Sequence, residues 1–72
     1  MSARLLDQLT DAQRECLRLV HTHHSSKEIA EIVGVSPSAV DKRIERAVQM
    51  LGVQSRFAAA RLLVAAEGGA TY

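Results

Sequence analysis

Lys42 and Arg46 stand four residues apart in "SPSAVDKRIERAVQM", with Ser36 and Ser38 ahead of them and Arg43 and Glu45 between. At the 100° step of an α-helix, residues 38 to 49 divide into two sides. Val40, Ile44, Ala47, Val48 and Leu51 form one apolar stripe, and Ser38, Lys42, Glu45, Arg46 and Gln49 lie broadly opposite it. Arg43 and Asp41 fall on the flanks. Cations one turn apart can meet phosphate oxygens or pair with the O6 and N7 edge of guanine, and a carboxylate can accept from a cytosine amino group. Hydroxyls at a helix start, beside free amides, favour a phosphate. The chemistry open to this face is therefore contact with duplex DNA, set against the plainer reading of a solvated helix surface. Asp41 is expected to order Arg43 or Lys42, and Glu45 to pair with Lys42 or to shield the face.

Other reactive types lead to structural readings. The three imidazoles of "HTHH", His21, His23 and His24, have no carboxylate or thiol placed to complete a metal site, and a helix C-terminus that favours positive charge accounts for them. No metal and no cofactor is expected. Cys16 falls on an inward face and reads as a small buried hydrophobe. No Gly-rich phosphate loop, no carboxylate pair and no nucleophile with its base is present, so no catalytic residue and no enzyme activity is expected.

The elements that must hold the polar face can be located by their caps. Thr10 and Gln13 form a capping box for a first helix, with Leu9 before it and Cys16, Leu17 and Val20 at helical spacing. Ser25 and Glu28 repeat the device for a second, short helix carrying Ile29, Ala30 and Val33, which Gly34 ends. Ser36 caps the third, Pro37 occupies its first position, and Gly52 closes it. Ser55 starts a fourth through "RFAAARLLVAA". No stretch alternates as a strand, so the fold class is all-α, with four helices and no sheet. A brief helix, a tight turn and a longer helix with a polar outer side make a helix-turn-helix, whose second helix enters a major groove.

Seventy-two residues allow one domain, expected over 9–66, after a lead-in over 1–8 and before a flexible tail over 67–72. Apolar residues make up 47% and charged residues 24%, which is globular composition, and the net charge is only +1. A general basic coat is absent, so affinity for a polyanion must come from local placement. One cysteine, no apolar run of membrane-spanning length and no signal pattern point to a cytoplasmic protein without a membrane partner, and no small-molecule ligand is suggested.

Taken together, "LT" followed by "RECLRLV", then "KEIAEIVGVSPSAV" and "LGVQSR", in that order and spacing, resemble the LuxR-type (GerE-like) helix-turn-helix domain of bacterial transcription regulators, from Leu9 to about Leu63. The resemblance implies DNA binding by the third helix, phosphate contacts from the second helix and the turn, and dimerisation through the fourth. It places Lys27 near the DNA backbone, Ser36 as the capping serine, Asp41, Lys42, Glu45 and Arg46 at base-reading positions, and Arg56 in a structural or phosphate-approaching role. Asp41, Glu45, Ala39, Ala12 and Gln13 depart from the family's common residues.

The fourth helix carries more apolar surface than one core needs. Phe57, Ala60, Leu63 and Val64 make an inward stripe, and Ala58, Leu62 and Ala65 a second strip that Arg61 interrupts, which reads as a dimer interface. A two-fold pair would set two recognition helices roughly 34–36 Å apart, suited to a short inverted repeat. Two other readings stay open. "VDKRIERA" also resembles the recognition helix of a region-four sigma factor module, which acts with RNA polymerase. The acids at 41 and 45 also suit a helical protein-interaction module that does not bind DNA.

Overall fold

A computed structural model describes residues 3–68. Five helices follow in order: α1 Ala3–Asp7, α2 Asp11–His21, α3 Ser26–Val33, α4 Pro37–Leu51 and α5 Arg56–Ala66, with no strand among the described residues. The all-helical class stands, and the helix count rises by one. The lead-in holds α1, a helix of five residues whose Leu5 and Leu6 lie against the core. Two of its last carbonyls also accept from Arg14 of α2, which donates from Nη2 to Leu6 O at 3.2 Å and Asp7 O at 3.5 Å. Such a short helix has little stability of its own, and these tertiary partners hold it.

The longer helices begin where their side chains satisfy free amides. Thr10 Oγ1 accepts from Gln13 N at 3.0 Å and Gln13 Oε1 accepts from Thr10 N at 2.9 Å. Ser25 and Glu28 form the same reciprocal pair at 3.2 and 2.8 Å. Ser36 accepts from Ala39 N and Ser55 from Ala58 N, each at 3.1 Å. α2 stops at His21 in a Schellman turn, with His23 N bonded to Val20 O and His24 N to Leu19 O. His23 takes the left-handed residue of that turn, φ +67°, a place where glycine is usual. The helix does not run on to His24, so His21 and His24 share no helical face. His24 Nδ1 instead meets Thr22 Oγ1 at 2.9 Å and Leu19 O at 3.1 Å.

The core gathers Leu9, Cys16, Leu17 and Val20 with Ile29, Ala30, Val40, Ile44, Ala47, Leu51, Ala59, Ala60 and Leu63, all nearly inaccessible. α2 packs on both α4 and α5. One expectation for the last helix fails. Phe57, placed on its inward stripe, is 58% exposed, while Ala59 is fully buried. The small Ala59 and Ala60 let α5 approach α2 closely, and that close seating turns the helix so the bulky ring points away. Glu67, assigned to the tail, is the C-cap of α5 and is held by Arg18. Residues 69–72 of that tail lie outside the described residues.

Candidate nucleic-acid interface

The turn between α3 and α4 is set by two chemical choices. Gly34 adopts φ +78°, ending α3 with its amide on Ala30 O at 2.9 Å, and Val35 N reaches the same carbonyl at 3.1 Å. Ser36 and Pro37 then start α4 at once, because proline has no amide to leave unsatisfied at the first helical position. Val40 and Ile44 are at most 1% exposed, so the apolar side of α4 is sealed against α2 and α3. The opposite side, with Ser38, Lys42, Glu45, Arg46 and Gln49, is exposed.

The structure divides the sequence-predicted residues into three groups. Lys42, Arg43 and Arg46 line one concavity of about 300 Å³ with Ala39 and the α2 start, Thr10, Ala12 and Gln13. No carboxylate lines it. Lys42 and Arg46 enter no ion pair among the described residues, so Glu45 does not neutralise Lys42. Arg43 is half-buried beside α2, on the same concavity as Thr10, Ala12 and Gln13. Burial pushes the Cys16 thiol up from its ordinary pKa, and the nearby Arg43 opposes the shift. Glu45 and Arg56 line a separate depression of about 250 Å³ with Ile44, Val48, Gln49, Gln54 and Ser55. Lys27, Ser36 and Ser38 are exposed near the starts of α3 and α4.

Asp41 has a partner that sequence spacing did not indicate. It orders neither Arg43 nor Lys42. Its Oδ1 accepts from Arg56 Nη2 at 3.1 Å and from the Ser26 hydroxyl, while Arg56 Nη1 donates to Ser26 Oγ at 2.8 Å. Those hydrogen bonds, from Ser26 first and Arg56 second, hold the Asp41 carboxyl below its ordinary pKa. The cluster joins the first residues of α3 and α5 to the second turn of α4. Ser26 was missed because it follows the capping Ser25, and no periodic signal separates the two.

The four residues expected at a dimer interface, Ala58, Arg61, Leu62 and Ala65, share an open groove with Val53 on the outer side of α5. Phe57 lines a second depression, about 230 Å³, with Val20, His21, His23, Ala60 and Arg61. No group of three or more His, Cys, Asp or Glu among the described residues could hold a metal ion. Among the described residues, no helix is long and apolar enough to cross a membrane.

A sealed helix with an exposed cationic side, set behind a tight turn and a short bracing helix, defines a helix-turn-helix module of the DNA-binding, transcription-related kind. Residues 3–51 match the family model described as Sigma-70, region 4, and the chain belongs to that family. The family is a DNA-binding helix-turn-helix group related to the LuxR-type domains. No curated protein and no solved structure gives a significant match. The matched span includes α1 to α4 and stops before α5.

Proposed function

We propose that the chain reads a short sequence in duplex DNA by laying the outward side of α4 in the major groove. The observation that supports this reading most is the cationic concavity of Lys42, Arg43 and Arg46 beside the α2 start, three residues that enter no ion pair among the described residues. Lys42 and Arg46 are the base-edge candidates, Glu45 a weaker acceptor for cytosine, and Lys27, Ser36 and Ser38 face the phosphates. Arg43, half-buried on the flank of α4, offers charge without a base contact. Affinity comes mainly from phosphate contacts, so it falls with salt, and a +1 chain with few outward cations gives a modest slope. The site of action is the bacterial cytoplasm, at the nucleoid.

Two assemblies suit this reading, each on its own observation. Membership of the region-four family favours action beside RNA polymerase. The open groove that collects Ala58, Arg61, Leu62 and Ala65, together with the LuxR-type resemblance, favours a homodimer through α5 on an inverted repeat. Selection of binding sites from random duplex DNA tests the first claim, and sedimentation with and without core polymerase separates the assemblies. Enrichment of one motif by the chain alone, as a dimer, supports the regulator. Enrichment only with polymerase supports the sigma-like module. No binding under either condition rejects the DNA reading.

A further inference from the structure

The apolar stripe of α4 fixes how deeply the helix sits but only loosely how far it is rolled about its axis, because hydrophobic packing is not directional. Roll matters for recognition. Side-chain tips lie about 6 Å from a helix axis, so a 20° roll moves them by about 2 Å. A recognition constellation needs placement within about 0.5 Å. Asp41 lies on the flank of α4, about 100° from the sealed Val40 on one side and 100° from Lys42 on the other. Its carboxylate is tied to two other helices, through Ser26 of α3 and Arg56 of α5.

We propose that Arg56 and Asp41 are positioning residues for DNA recognition: with Ser26 they fix the roll of α4 and so aim Lys42 and Arg46. The inference rests on the DNA reading above and adds to it a role for α5, which lies beyond the span matched to the family. The carboxylate is spent on its neighbours rather than on a base. Arg56, with both terminal nitrogens committed to Ser26 and Asp41, has this role in place of a phosphate contact.

The test uses the intact chain, its selected duplex and a scrambled duplex at one salt concentration, with thermal melting alongside. Asp41→Asn removes an acid from a DNA-facing helix, so electrostatics alone would tighten both complexes. Positioning requires the opposite for the selected duplex: binding weakened about tenfold or more, with scrambled binding unchanged or slightly tighter. Arg56→Gln is expected to show the same selective loss, Arg56→Lys to recover part of it, and the double variant to be no worse than either single one. Tighter binding of both duplexes by Asp41→Asn overturns the proposal. Equal losses on both duplexes for Arg56→Gln, with a salt slope reduced by about one, assign Arg56 to a phosphate and overturn it as well. A wild-type chain that selects no duplex removes the DNA reading itself, an outcome distinct from these.

Discussion

Arg18 of α2 and Glu67 at the end of α5 form a two-point ion pair, Nε to Oε1 at 2.9 Å and Nη2 to Oε2 at 2.5 Å. It joins residues 49 apart in sequence and fastens the far end of α5 to the helix on which that element packs. Both side chains remain partly exposed, so salt and water limit its worth to about 0.5–1 kcal/mol despite the good geometry. Glu67→Gln should lower stability by that amount in low salt and by less in high salt, as read by urea unfolding.

The pH dependence of the same pair has a definite sign. The Arg18 hydrogen bond holds the Glu67 carboxyl below its ordinary pKa. A depressed folded pKa stabilises the native state above the ordinary glutamate range, about 4, and that stability is lost as pH falls through the folded value. Asp41, held low by Ser26 and Arg56, acts in the same direction. Melting curves from pH 6 down to pH 2 should show a falling midpoint, shallower in Glu67→Gln. An unchanged slope in that variant would remove the pair from the account.

His23 sits at φ +67° in a turn that glycine suits better. His23→Gly relieves about 1–2 kcal/mol of steric conflict and costs about 0.5–1 kcal/mol of chain entropy. The difference, about 0–1.5 kcal/mol and centred on about 0.75, should raise the melting midpoint by roughly 3–6 °C in a domain this small. His23→Ala, which keeps the Cβ, should show no such rise.

Leu17 is fully buried where α2 meets the other helices. Leu17→Ala should cost about 2–5 kcal/mol, against a total stability of about 4–10 kcal/mol for a chain of this length. Circular dichroism should show a midpoint lowered by more than 10 °C or partial unfolding at room temperature.

Much of this architecture was legible because it is written in local chemistry. Thr10 with Gln13, Ser25 with Glu28, Gly34, Ser36 with Pro37, and Gly52 each mark a boundary through a side chain or a backbone freedom acting within a few residues. The buried stripe of α4 followed from its period. What escaped was long-range. Arg14 on the α1 carbonyls, Arg18 on Glu67, and Arg56 on Asp41 and Ser26 join residues distant in sequence, and spacing along one helix says nothing of them. Phe57 was misplaced for a related reason: in an alanine-rich helix almost every side is apolar, so the pattern does not say which side the neighbouring helix will cover. At the candidate interface the outward exposure of Lys42, Glu45 and Arg46 was legible in the period of α4, while the grouping of Lys42, Arg43 and Arg46 with the α2 start needed the fold.

Lys42→Ala separates a base reader from a general cation. As a reader, it should cost about 1–3 kcal/mol on the selected duplex and much less on scrambled DNA. Equal losses in a paired titration would assign Lys42 to the backbone instead.

The most direct measurement is an amide chemical-shift map of the intact chain as duplex DNA is added. Shifts should concentrate on the outward residues of α4, Lys42, Glu45, Arg46 and Gln49, and on the first turn of α2, with the outer side of α5 little changed. A map that leaves α4 unperturbed while DNA binds elsewhere would contradict the account.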